Sequence, residues 1–216
     1  PFVFAFEPRL GVKIADHFKF IILTSPAGAY FSKATKLKVE KDFVRAAEGG
    51  TGFAKCSGNY GGAFYPTQLA RQQGFDQVLW TDAKEHKYID EAGVMNVMFV
   101  INGKLVTPKL TSALLDGVTR DSILKLAPGL GITVEERRVS VDEIEEAFKK
   151  GTISEAFGSG TAAVVSPIAT INIEGVDYNL PAAGPDSFQQ RVKQKLSNIR
   201  YGQEPDVYGW NYIINV

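Results

Sequence analysis

Val97-Met98-Phe99-Val100-Ile101, followed by Asn102-Gly103 and then by Leu105-Val106, is an apolar run closed by the commonest two-residue hairpin turn. It reads as one strand folding back into the next. Upstream, Val78-Leu79-Trp80 reads as another strand, with Glu91 lying between the two. Further upstream, Lys19-Phe20-Ile21-Ile22-Leu23-Thr24 has the composition of a buried strand; Ser25-Pro26-Ala27-Gly28 closes it, and Tyr30 follows just past the strand end. Downstream, Thr119 can cap a helix running through Leu126, with Asp121 in its first turn, and Gly131-Ile132-Thr133-Val134 reads as a strand. Val141 to Lys150 reads as a helix with a full capping box in Ser140 and Glu143, acids early and Lys149-Lys150 late. A strand, a turn at Gly158-Ser159-Gly160-Thr161, a strand from Pro167 to Ile173 and a helix from Ser187 to Ile199 complete the order. Strands and helices alternate, so the expected fold is a single α/β or α+β domain.

Between the first strands lies a different kind of sequence. From Gly49 to Gly62 the chain carries six glycines, too many for a regular element, which predicts an irregular loop with Lys55 in its middle. Ala63 to Gln73 can follow as a helix with Phe64 and Leu69 on its core side, Pro66 in its first turn and Gly74 as its stop.

Composition narrows the chemistry. The chain has 216 residues, 44% of them hydrophobic, which is enough for a sizeable core. Lys plus Arg and Asp plus Glu both total 24, and this neutral balance argues against nucleic acid as a partner. Cys56 is the single cysteine, so neither an intrachain disulfide nor a thiolate zinc site can form, and a reducing cytoplasm suits the chain. The longest apolar runs fall far short of the roughly 20 residues of a membrane helix, so no membrane is expected. The only histidines, His17 and His86, sit in polar surroundings and leave little material for a Ser-His-Asp system or a metal site; no metal is expected. Gly158-Ser159-Gly160-Thr161-Ala162-Ala163 satisfies a dinucleotide-binding spacing, but Val164-Val165-Ser166-Pro167 follows where that motif needs a helix. Gly49 to Lys55 lacks the Gly-Lys-Ser/Thr ending of a P-loop. What is left is a lysine in a glycine loop, several acids, and turns that offer backbone amides. These suit an enzyme that borrows its reactivity from a cofactor, although a lone loop lysine is more often a plain surface residue.

The segment Gly49-Gly50-Thr51-Gly52-Phe53-Ala54-Lys55-Cys56-Ser57-Gly58-Asn59-Tyr60 closely resembles the K-x-x-G-N-Y block of branched-chain amino acid aminotransferases, pyridoxal phosphate enzymes of fold type IV. Further blocks match in the same order. They are Ser25 to Phe31, Val78-Leu79-Trp80 with Glu91-Ala92-Gly93-Val94-Met95-Asn96, Gly117-Val118-Thr119-Arg120, and Phe157 to Ala162; Ile199-Arg200-Tyr201-Gly202 also looks familial. The resemblance implies the large cofactor-binding domain of the D-amino acid aminotransferase-like fold. It implies a homodimer that transfers the amino group of Leu, Ile or Val to 2-oxoglutarate; D-amino acid aminotransferases, aminodeoxychorismate lyase and a non-catalytic relative are the alternatives.

Residue by residue, the resemblance makes Lys55 the Schiff-base lysine that then shuttles a proton, and Glu91 the acid on the cofactor's pyridine nitrogen. It places Val118, Thr119, Thr161 and Arg45 around the phosphate, Tyr60 beside the cofactor, and Tyr30, Val94 and Ala162 at the substrate. The chain departs from the pattern at Val94, where a threonine is usual, and at Asp116, where a proline is common. Ala163 and Ser166 stand where mammalian members carry a redox-sensing cysteine pair, so that regulation is not expected. The chain begins Pro1-Phe2-Val3-Phe4-Ala5-Phe6, directly in apolar sequence. The expectation is therefore one large domain over residues 1–216, with 1–16 an interdomain linker or first strand and the smaller N-terminal domain of the family missing from the chain.

Overall fold

The computed structural model describes residues 1–26 and 33–214. Two compact units divide at Tyr30. In the first, β1 (Phe2–Ala5) pairs antiparallel with β2 (Phe18–Ile21), Phe2 opposite Ile21. The expected strand at Lys19 is present, but Phe18, Phe20, Ile22 and Leu23 are exposed instead of buried. Two strands alone have no second layer on which to bury either face.

The second unit holds β3 (Thr35–Val39), β4 (Gln77–Thr81), β5 (Ile89–Ala92), β6 (Met95–Ile101), β7 (Lys104–Pro108), β8 (Thr133–Arg137), β9 (Ile153–Gly160), β10 (Val164–Ile173) and β11 (Val176–Asn179). β10 pairs with β3, and the order continues β3-β4-β5-β6; β9 then joins β6 back to β10. Six strands thus close on themselves as a barrel, while β7-β8 and β11 extend the sheet from β6 and β10. The β3–β10, β3–β4 and β7–β8 pairs are parallel, and the rest of this sheet is antiparallel.

Among the described residues, four α-helices cover this sheet: α1 (Ser57–Gln72), α2 (Val118–Leu126), α3 (Val141–Lys149) and α4 (Phe188–Arg200). β6 explains why the opening stretch is apolar without alternation. Val97, Phe99 and Ile101 join Leu37, Leu79 and Ile171 in one core that reaches α3, whereas Met98 and Val100 pack with α2 and α4. A strand buried on both faces needs apolar residues at every position. Asn102 (φ 51°) and Gly103 (φ 72°) make its turn, with both residues left-handed as the primed hairpin turns require.

Several boundaries differ from the sequence reading. The glycine loop ends at Cys56, and α1 starts at Ser57, taking Gly58, Gly61 and Gly62 into helix. Pro66 therefore lies well inside α1; its missing N–H and ring face the carbonyl of Gly62 one turn back. The buried face of α1 is Asn59, Ala63, Pro66 and Ala70, and Phe64 is exposed. Glu91 is in a strand, not between strands; β5 was hidden because acids at 90 and 91 break any apolar period. Gly117, not Thr119, is the N-cap of α2. The turn expected at Gly158–Thr161 falls later, at residues 161–163, because β9 runs through Gly160. In α3 the capping box is half made: Ser140 Oγ accepts from the Glu143 N–H at 3.0 Å, but the Glu143 carboxylate turns to Arg137.

Candidate active site

Glu91, Asn96 and Ser159 lie side by side across three strands, since Glu91 pairs with Asn96 and Asn96 with Ser159. Directly opposed residues share a face, so one polar row crosses an otherwise apolar sheet. The segment leading into α2 docks on this row. The Leu115 N–H donates to Glu91 Oε1 at 2.7 Å, and Asn96 Nδ2 donates to the Leu115 carbonyl at 2.8 Å. Gly117 follows, so close that a Cβ there would lie 2.1 Å from Asn96 Oδ1. Arg120 anchors the first turn by donating to the Pro108 carbonyl at 2.9 Å and to Glu136 at 2.7 Å. The free N–H groups of Val118 and Thr119 are thereby fixed beside the row, at a helix end suited to an anion. Ser159 Oγ is buried there without a partner among the described residues.

The loop carrying Lys55 is braced against the same segment. The Phe53 N–H donates to the Ser112 carbonyl at 2.9 Å, and a Cβ on Gly52 would sit 2.3 Å from the Ala113 oxygen. Buried Asn59 ties the loop to α1, its Nδ2 donating to the carbonyls of Thr51 and Ala54, each at 2.8 Å. Lys55 itself is exposed, and its Nζ donates to Tyr60 Oη at 2.7 Å.

Arg45 joins the loop to the row. Its Nε lies 3.0 Å from Glu91 Oε2, and Nη1 donates to the Ala113 carbonyl at 2.7 Å. Both side chains of this pair are almost fully buried. Burial raises the Glu91 pKa; Arg45, the Leu115 N–H and the charge of Lys55 pull it back down.

A family model described as amino-transferase class IV matches residues 14–171. The chain belongs to this aminotransferase family. Among curated relatives, the probable branched-chain-amino-acid aminotransferase of Staphylococcus epidermidis is 46% identical over 214 residues, which is 97% of this chain and 60% of that protein. Branched-chain-amino-acid aminotransferase 2 of Bacillus subtilis is 41% identical over 213 residues, again 97% of this chain and 59% of the relative. The chain thus spans about 60% of the length of the curated relatives it matches. The branched-chain amino acid aminotransferase of Escherichia coli superimposes with a TM-score of 0.68 at 32% identity, over 82% of this chain and 56% of that one. The Thermobaculum terrenum enzyme in its PLP-form gives a TM-score of 0.68 at 27% identity, over 79% of this chain and 52% of that one. The fold is the mixed α/β barrel fold of these aminotransferases, fold type IV, as the resemblance implied.

The structure brings together Lys55, Tyr60, Glu91 and Arg45, together with the α2 N-terminus at Val118 and Thr119. Arg45 spends its donors on Glu91, Gly52 and Ala113, and none of these bonds runs to the α2 N-terminus where a phosphate was expected. Thr161 and Ala162 are exposed in the β9–β10 turn, and Val94 in the β5–β6 turn. Tyr30 lies outside the described residues. Asn59, Asn96, Ser159 and Arg120 were not singled out from sequence. Asn59 and Asn96 stand within the quoted blocks, where an asparagine amid glycines or strand residues signals a side chain that bonds backbone. Among the described residues, no helix is long and apolar enough to cross a membrane, and no cluster of potential ligands suits a metal ion.

Proposed function

We propose that this protein is a pyridoxal phosphate-dependent transaminase that passes the amino group of leucine, isoleucine or valine to 2-oxoglutarate, acting as a cytoplasmic homodimer. One observation carries the reading. Lys55 presents an exposed amine on a braced loop, close enough to buried Glu91 for its charge to lower that carboxyl's pKa.

The described residues fit the cofactor. The two α2 amides at Val118 and Thr119, with Thr161 and the partnerless hydroxyl of Ser159, would hold its phosphate. Glu91 would hold the protonated ring nitrogen: each of its oxygens already takes one donor, and a carboxylate has about four lone-pair sites, so room for a further bond is left. Arg45 favours the ionised form of this carboxyl against the effect of burial and holds it in place. Bound pyridoxal phosphate supplies an electron sink for the pair left at the substrate α-carbon.

Lys55 Nζ would hold the cofactor and, as a free amine, would take the proton from the substrate α-carbon. Tyr60 Oη accepts from Nζ at 2.7 Å and so aims the amine. The Ala162 N–H on the exposed turn suits the substrate carboxylate, and Val94 offers a methyl surface to a branched side chain. Tyr30 is proposed to line the same pocket.

Glutamate formation from 2-oxoglutarate, measured with leucine, isoleucine, valine or D-alanine as donor, tests this reading. Activity with the three branched L-amino acids is expected. Activity confined to D-alanine, or pyruvate release from aminodeoxychorismate, would assign the chain to another member of the fold group.

A further inference from the structure

Asp90 precedes Glu91 on β5, where the pairing of β4 with β5 shifts register, and lines a cavity of about 430 Å³ that Glu91 does not line. Only 9% of Asp90 is exposed, and among the described residues no group hydrogen-bonds to its carboxylate. A buried acid without a partner is costly. Two of the other acids here are committed. Asp82 accepts the backbone N–H groups of Lys84, Glu85, Lys87 and Tyr88, and Glu48 lies 3.7 Å from Arg138. On the same wall, Lys84 has no ion-pair partner among the described residues. The remaining lining includes three small residues, Ala47, Ala83 and Ala113.

A free acid and a free base on one cavity call for a ligand with both charges. The volume lies at the small end of ligand pockets, which run about 300–1,000 Å³. We propose that this cavity is a second, non-catalytic site for a small α-amino acid, with its ammonium on Asp90 and its carboxylate on Lys84 and Arg138. The alanine methyls leave space for a short side chain and give it an apolar surface.

The charges around Asp90 agree with this occupant. Burial, then Asp82 and Glu91, with a smaller contribution from Glu48, push its carboxyl up to about 7, and Arg45 opposes them. Glu85 adds a further negative charge to the wall, Lys84 and Arg138 positive ones. A bound ammonium favours the ionised carboxylate, so affinity falls as pH drops below 7, by up to about tenfold per unit.

The test is a titration of the protein, with its alanine methyls labelled with carbon-13, by glycine, ethylamine or propionate at pH 8. Lys55→Ala serves as background so that Schiff-base chemistry does not contribute. Saturable shifts of the Ala47 and Ala83 methyls with glycine are expected, at least tenfold weaker with either half-molecule and about tenfold weaker at pH 6. Asp90→Asn is expected to weaken glycine binding at least tenfold, and the exposed Lys84→Ala, which leaves the core intact, several-fold. No shift with glycine, equal shifts with propionate, or unchanged binding in Lys84→Ala would overturn the proposal, even where Asp90→Asn did not fold.

Discussion

Arg45 Nε meets Glu91 Oε2 at 3.0 Å where neither side chain touches more than a trace of water. The pair joins the loop that carries Lys55 to the strand that would face the cofactor ring. Removing one partner from a buried pair leaves the other charge unpaired, at a cost of about 3–5 kcal/mol. Arg45→Ala is therefore expected to lower stability to denaturant by that amount. Arg45→Met with Glu91→Leu should cost less than Arg45→Ala alone, which an unfolding double-mutant cycle would show; equal or larger loss in the double variant would contradict the pairing.

Asn59→Ala removes the two carbonyl bonds that hold the lysine loop. Net hydrogen-bond contributions of about 0.5–1.5 kcal/mol each predict a loss of roughly 1–3 kcal/mol. Because the loop also sets where Nζ points, kcat should fall more than KM rises in steady-state assays. A stable variant with unchanged kcat would show that the loop holds its shape without Asn59.

Gly52→Ala tests the contact between the lysine loop and the segment before α2. A Cβ at 2.3 Å from the Ala113 oxygen forces the backbones apart, and overpacking of this kind costs about 1–3 kcal/mol. Because Ala113 also holds Arg45, the shift should reach Glu91, and weaker uptake of pyridoxal phosphate is expected by fluorescence titration. Gly58→Ala, with open space around it, should change neither quantity.

Asp90 gives the fold a pH dependence. Its carboxyl is raised from 3.8 to about 7, so between these values the folded chain binds more protons than the unfolded chain. Its contribution is favourable at low pH and is lost as pH rises through about 7. Asp90→Asn removes this dependence, so the stability of the variant relative to the parent should climb between pH 4 and 7 and level off above. Melting temperatures across that range check it; a parallel pair of curves would mean that Asp90 ionises freely.

The closed barrel and the site were legible to different degrees. The run at Val97–Ile101 with Asn102-Gly103 predicted its hairpin because burial on both faces and a primed turn leave local marks. Strand β5 left none, since Asp90 and Glu91 are placed by a cavity and by an ion pair rather than by period. The lysine loop was visible as glycines, yet its end was not, because Gly58, Gly61 and Gly62 are held helical by α1 packing on β4. Lys55 and Glu91 were found through resemblance to a family. Their connection through Arg45 is a tertiary fact, 46 residues apart in sequence between Arg45 and Glu91, which spacing alone does not carry.

The central claim is that Lys55 is the cofactor lysine. Incubation of the protein with pyridoxal phosphate, borohydride reduction and peptide mapping by mass spectrometry tests it directly. A single phosphopyridoxyl adduct on Lys55, absent in Lys55→Ala, is the expected result. An adduct spread over surface lysines, or none on Lys55 in the folded protein, would contradict the account.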